Sequence, residues 1–230
     1  MIRSTEVRVA TSGPRRRATS GGRQERSTET RAALVAGAIE ALREVGFAGA
    51  SAREIAGRAD CNQALVFYHF GSVTELLLAA LDEVSARRLA AYADLLDQAT
   101  GLTELIDSAR AIFSEDLDAG HVAVLVEMIT GAQSTPGLGE QVAARLAPWR
   151  DVAESAVRKA LVGSPVALLL PAKELAHAVV AGFLGLELLA SLDGDRTAAL
   201  TLFDRARLIA GLLDLTGGTF PTDDLKGDQT

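Results

Sequence analysis

A single cysteine, Cys61, cannot close an intrachain disulfide, so the chain has no disulfide framework and suits a reducing compartment. Aromatic residues make up 4% of the chain, and it has three histidines and two methionines. Runs that alternate β-branched or aromatic residues with polar ones, the mark of strands, are scarce. There is no G-x-S-x-G, no H-E-x-x-H, no phosphate-cradling glycine loop and no metal-ligand spacing, which argues against an enzyme and implies neither metal nor cofactor. No apolar segment follows the N-terminal arginines as a secretory signal requires. The most apolar run, residues 175–186, lies between Glu174 and Glu187, includes His177, and falls short of the ~20 residues of a membrane span. A cytoplasmic protein with no membrane contact is the expectation.

What the chain does have is Ala, Leu and Val. Apolar residues form 48% of its 230 positions, and Ala and Leu are strong helix formers, so an all-α fold is expected. The net charge is −7, but its distribution says more than its sum. Residues 1–27 carry seven Arg against Glu6 and Glu25, a net of +5; residues 28–75 carry −2 and residues 76–230 carry −10. A basic, Arg/Ser/Thr/Gly-rich tail with little to bury therefore precedes an acidic body. Residues 1–27 read as a disordered arm, either a solubilising tail or a segment that touches phosphates.

Local signals then divide the chain into helices. Leu34, Ala38, Leu42 and Val45 form one apolar stripe on a helix over 28–45, with Gly46 as its stop and Phe47 folding back. Ser51-Ala52-Arg53-Glu54 is a capping box opening a short helix. Asp60 stands at a turn and tolerates a left-handed backbone better than most residues. Asn62 is a suitable N-cap for a second short helix over 63–69. Ser72-Val73-Thr74-Glu75 is a second capping box, starting a long helix over 73–99. Further helices are expected over 102–117, 122–133, 139–161, 172–192 and 197–215, about nine in all, separated by Gly-, Asp- and Pro-containing breaks such as 163–165.

Two short helices joined by a turn of about four residues make a helix-turn-helix. The run from Ala59 to Leu77, above all Tyr68-His69-Phe70-Gly71-Ser72 leading into a helix, together with Gly46-Phe47 and Ser51-x-Arg53-Glu54-Ile55-Ala56, resembles the DNA-binding domain of TetR/AcrR-type (tetracycline-repressor-like) transcriptional regulators. The resemblance covers about fifty residues. It implies a helix-turn-helix DNA-binding domain over 28–75, a helical ligand-binding and dimerisation domain over 76–218 and a flexible tail over 219–230. Double-stranded operator DNA, a small-molecule effector and a second copy of the chain are the partners it implies, with repression relieved by the effector. A sensor of the same fold with weak or lost DNA binding is the alternative.

Within that resemblance the DNA-binding candidates are Ser51, Arg53, Asn62, Gln63, Leu65, Tyr68 and His69, with Val66 and Phe70 packing inward. Gln can pair bidentately with adenine and Arg with guanine, while the hydroxyl of Ser51 and the polar tips of Tyr68 and His69 suit phosphates. Solvated or core roles would also explain each residue singly. Two positions depart from the family pattern: Val73 stands where many members have Lys, and Phe67 where many have Tyr, so a charge and a hydroxyl are missing. The Arg-rich arm is expected to offset them. Cys61, in the turn, reads as a small buried hydrophobe, with a thiol switch as the alternative.

In the body, the two last helices are apolar on more than one face, which demands burial on several sides. The resemblance implies that this pair docks against a twofold mate, with Val179, Phe183, Leu186, Phe203, Leu208 and Leu212 as the interface candidates; a monomer whose own body covers both helices is the alternative. Phe113, His121, Met128, Gln133, Trp149 and His177 are the candidates for lining an effector pocket, though core packing would explain each of them. Glu127, inside an apolar run, is expected on the outer face.

Overall fold

The fold was analysed in a computed structural model that describes residues 20–162 and 171–216. The expectations for residues 1–19, for the break at 163–165 and for the tail at 219–230 lie outside the described residues. All regular structure among the described residues is helical: α1 (Ser20–Gly49), α2 (Ala52–Arg58), α3 (Ala64–Phe70), α4 (Val73–Asp97), α5 (Leu102–Ala119), α6 (His121–Ala132), α7 (Leu138–Arg145), α8 (Ala147–Ala160), α9 (Ala172–Asp193) and α10 (Thr197–Thr216).

The punctuation is chemical and local. The α1 helix breaks at Gly46, whose φ of 72° is open to glycine and strained for other residues. The Ser51 hydroxyl accepts from the Glu54 N–H at 3.2 Å and the Ser72 hydroxyl from the Glu75 N–H at 3.1 Å, caps worth about 1 kcal/mol each. Asp60 sits at φ 48°, the single non-glycine residue at positive φ among those described.

Two elements differ from expectation. Residues 20–27, read as part of a disordered arm, continue α1; the segment holds good helix formers, and the hydroxyls of Thr28 and Thr30 bond back to the carbonyls of Gln24 and Arg26. The single helix expected over 139–161 is two, α7 and α8, parted at Leu146. Pro148 has no N–H to donate and fits only in a first turn, so the helix restarts there.

Packing joins these helices through one large core and two smaller ones. The large core contains Leu34, Leu42, Ile55, Val66, Leu76, Leu77, Val124, Met128 and Leu138, and so runs without interruption from α1–α3 through α4 into α6 and α7. A second centres on Phe113 and gathers Phe183, Leu186, Ala190, Ala199 and Phe203 from α9 and α10. A third joins α8, α9 and the start of α5 around Val157, Leu161 and Ala176.

The α9 helix is longer than the apolar run visible in the sequence. Its 22 residues are, by length and composition, long and apolar enough to cross a bilayer. A core helix of a soluble protein passes the same test, and α9 carries the fully buried Glu187.

Candidate nucleic-acid interface and internal cavity

The helix-turn-helix is α2, the turn at 59–63, and α3. Ile55 and Ala56 of α2 and Val66 of α3 are buried against α1 and α4, which fixes both helices to one scaffold. Arg58 clamps α2 to α1: its Nη1 meets Glu44 at 2.7 Å and its Nη2 meets Glu54 at 2.8 Å, and those bonds raise its pKa further above the usual guanidinium value. The Asn62 side-chain oxygen accepts from the Ala64 N–H at 2.8 Å, tying down the start of α3. At the other end, the Arg31 guanidinium lies 4.8 Å over the Phe70 ring.

What remains outward is the proposed reading surface. Ser51, Arg53, Asn62 and Gln63 are exposed, and Arg53 has no ion pair among the described residues. Tyr68 is 75% exposed and its ring stands edge-on to His69, centroids 4.9 Å apart. His69 is half-buried. Leu65 departs from expectation: it is half-buried and leans on the main core, because it follows the turn that carries Val66 inward. Phe67 is outward, at 53% exposure. Cys61 is half-buried, and burial followed by the charge of Asp60 pushes its thiol up in pKa, the wrong direction for a reactive thiolate.

In the body, α4, α5, α6, α8 and α9 enclose a cavity of about 120 Å³. His121 and Trp149 line it, as expected. The other four candidates do not. Phe113 is sealed in an aromatic trio, 5.8 Å from Phe183 and 5.3 Å from Phe203. Met128 is fully buried in the main core. Gln133 and His177 are exposed: Gln133 follows the end of α6, and His177 lies on the outer side of α9. Most of the wall is aliphatic, including Leu81, Val84, Ile112, Leu125 and Val180.

One charged group that sequence reasoning missed reaches this cavity. Arg88 of α4 lines it, buried, with its guanidinium 4.8 Å from the Trp149 ring. Behind Arg88, Asp116 of α5 accepts from its Nη2 and from the Tyr92 hydroxyl at 3.0 Å, and bonds His121 Nδ1 at 3.0 Å. A carboxylate only accepts, so His121 carries its proton on Nδ1. Burial, then Arg88 and Arg43, hold the His121 pKa down, so the ring is neutral near pH 7. Glu187 of α9 meets the same Nη2 of Arg88, at 3.4 Å. Burial raises its pKa from 4.5 to about 7, against the pull of Arg88. A sequence signal did exist for Arg88 and Tyr92: with Leu77, Leu81 and Val84 they fall on one helical stripe of α4.

Glu127 is neither outward nor in the cavity. Its Oε2 accepts from the Phe47 N–H at 2.8 Å, at the corner that ends α1. The Phe47 ring meanwhile packs on Gly131 so closely that a Cβ there would lie 2.4 Å from it. Arg43 adds a third link from α1, donating to the Ala119 carbonyl at 2.6 Å.

With this geometry established, comparison with known proteins identifies the lineage. The sequence pattern of the bacterial regulatory proteins, tetR family, matches residues 34–80. A solved structure of a TetR family member from Streptomyces coelicolor is 27% identical, with a TM-score of 0.59, covering 77% of this chain and 98% of that one. Residues 34–80 thus carry the TetR-family DNA-binding pattern, and the whole chain is similar in fold to a TetR family member. Among curated TetR-like relatives, the HTH-type transcriptional regulator CymR of Pseudomonas putida is 29% identical over 122 residues, 51% of this chain and 58% of that protein. An uncharacterized HTH-type transcriptional regulator of Mycobacterium tuberculosis is 31% identical over 118 residues, 51% of this chain and 60% of that one. The chain thus spans less than two thirds of the length of the curated relatives it matches. The fold is also that of FadR from Bacillus subtilis, solved in complex with stearoyl-CoA, with a TM-score of 0.65 at 11% identity, covering 78% and 96% of the two chains.

The proposed dimer residues divide. Val179, Leu208 and Leu212 are exposed, the last two at 61% and 66%. Phe183, Leu186 and Phe203 are half-buried in the chain's own second core, because Phe113 recruits both rings. Leu188, Leu189 and Leu192 of α9 and Leu202 and Ile209 of α10 are exposed apolar residues in addition.

Proposed function

We propose that this chain is a DNA-binding transcription regulator that acts as a twofold dimer and whose hold on an operator is relieved by a small molecule in the internal cavity. The observation that carries this reading is the reading surface: α3 and the turn before it, fixed by Val66 and the Asn62 cap, leave Asn62, Gln63 and Tyr68 outward, and Arg53 of α2 is outward as well. Gln63 and Arg53 are the base-reading groups in this account, while Ser51, Tyr68 and His69 hold phosphates. The exposed leucines of α9 and α10 form the face for a second copy, and C2 symmetry suits a palindromic operator.

The effector acts by shifting a population between two placements of the reading heads. The path for it is continuous: the cavity touches His121 at the start of α6, and α6 holds the end of α1 through Glu127 and Gly131. A shift of α6 along its axis displaces the Phe47 corner and, with it, α1 and α2.

Fluorescence anisotropy of the whole chain against the DNA upstream of its own gene, at two salt concentrations and beside a scrambled duplex, tests the proposal. Tight binding that prefers the native duplex and weakens with salt is the expected result. Removing residues 1–19, with five arginines, is expected to flatten the salt slope by up to about four. The outward phenyl of Phe67, with no hydroxyl to offer a phosphate, favours the second reading of a sensor without DNA affinity; absence of binding to either duplex at low salt would select it.

A further inference from the structure

The buried ion cluster behind the cavity is out of balance, and the imbalance points to a ligand class. Arg88 faces two carboxylates, Asp116 and Glu187. Asp116 is fully engaged, with Arg88 on one oxygen and Tyr92 and His121 on the other. Glu187 is not. Its one contact to Arg88 is 3.4 Å long, its Oε2 is buried with no partner, and the Nε of Arg88 is likewise buried with no acceptor. Two orphaned groups at one loose ion pair are costly in an apolar interior.

The groups around Glu187 come from several helices. Arg88 and Tyr92 face it from α4, and Asp116 and His121 complete the cluster from α5 and α6. From α8 comes Trp149, stacked on Arg88. With His121 neutral, the cluster has one cation and two acids.

Of the three cluster charges, Arg88 is the one that lines the cavity; Glu187 and Asp116 stand behind it. A ligand in the cavity therefore meets Arg88 and neither carboxylate. The cavity itself, at about 120 Å³, is of the scale of an engineered ~150 Å³ cavity that holds benzene. It suits a single ring or a short branched chain, not a long acyl chain.

We infer that the cavity takes a small monocarboxylic acid with a compact apolar body, whose carboxylate replaces Glu187 as the second partner of Arg88 while Glu187 takes up a proton from solvent. The inference rests on reading the cavity as the effector site. One anion replaces another, the proton neutralises the displaced carboxyl, and the cluster ends with one cation, Asp116 and the ligand. The pKa of about 7 for Glu187 puts that proton within easy reach at neutral pH. An amine has no such place, since the carboxylates it needs lie behind a guanidinium.

The chain's one tryptophan is Trp149, so its fluorescence reports the site directly. Benzoate, benzamide and benzylamine are titrated into the full chain at pH 6 and pH 8. Benzoate is expected to bind best, roughly tenfold more weakly at pH 8 than at pH 6, because proton uptake becomes uphill above the pKa of Glu187. Glu187→Gln is expected to erase that tenfold difference by raising the pH 8 affinity, and Arg88→Gln to abolish benzoate binding. Should Arg88→Gln fail to fold, Glu187→Gln alone decides. Preference for benzylamine, equal benzoate affinity at both pH values, or no response to benzoate at millimolar concentration would each overturn the inference. Anisotropy with duplex DNA on the same samples separates the two proposals. A protein that holds its duplex and ignores benzoate refutes the acid class alone; one that takes benzoate with the stated pH dependence but holds no duplex refutes the regulator alone.

Discussion

The backbone N–H of Phe47 donates to Oε2 of Glu127 across 2.8 Å and 80 residues of sequence, so the end of the first helix is held by a side chain from the body. Gly131, one turn further along α6, lets the Phe47 ring lie flat against the helix. Two contacts on one helix face thus fix the corner from which the reading head hangs.

Breaking the first of these contacts has a defined cost. Glu127→Ala leaves a part-buried N–H without an acceptor, a loss of ~1–3 kcal/mol, visible as a lower urea midpoint at unchanged slope. Glu127→Gln keeps an acceptor and is expected to retain most of that stability. If the corner relays the effector signal, Glu127→Ala also weakens effector-driven release of DNA more than it weakens DNA binding itself. Equal loss in both would confine Glu127 to a structural role.

Glu187 makes stability depend on pH in a particular direction. Its folded pKa of about 7 lies above its ordinary 4.5, so between those values the folded state binds more protons than the unfolded. Stability therefore falls as pH rises from 4.5 through 7, by on the order of 3 kcal/mol. His121 acts oppositely: its lowered folded pKa means that stability is lost as pH falls below its ordinary 6.5. Glu187→Gln removes the first effect and leaves the second. The variant is expected to be more stable than the parent above pH 7, with the advantage gone near pH 4.5, as thermal melts across pH 4–8 will show. A constant difference across that range would refute the assignment of the titration to Glu187.

On the proposed reading surface, base reading and phosphate holding are expected to be separable. Gln63→Ala is expected to lower affinity for the preferred duplex by ~1–3 kcal/mol and to leave binding to scrambled DNA nearly unchanged. Tyr68→Phe, which removes a hydroxyl from a 75% exposed ring, should weaken both duplexes alike. Parallel anisotropy titrations of the two variants against both duplexes make the distinction. A Gln63→Ala variant that loses both equally would place Gln63 among the phosphate contacts.

The helix-turn-helix was legible in the sequence because its signals are local. A cap and the N–H it satisfies lie three residues apart at Ser51–Glu54 and at Ser72–Glu75, and the turn is marked by one residue, Asp60. The cavity was not legible because its chemistry is assembled from distant segments: Arg88 meets Asp116 28 residues away and Glu187 99 residues away. Aromatic type misled for the same reason. Phe113, Phe183 and Phe203 chose one another, which removed the first from the pocket and the other two from the outer face. Leu65 is drawn partly inward because a seven-residue helix can turn only one face inward, and Val66 sets it.

The division of the large apolar residues between core and outer face sharpens the prediction for association. Leu208 and Leu212 lie one turn apart on α10 and are exposed, while Phe203 is half-buried against Phe113. Leu208→Asp with Leu212→Asp places two charges on the outer face and touches no core. The variant is expected to sediment as a monomer with a helical circular-dichroism spectrum like the parent's, and to lose operator affinity because one head alone covers half of a palindrome. Phe203→Ala is the control in the opposite sense: it opens a hole in the second core, costs ~3–5 kcal/mol of stability, and acts on folding before association. A double-aspartate variant that remains dimeric in sedimentation would move the interface away from this face of α10, and attention would pass to Leu188, Leu189 and Leu192 on α9.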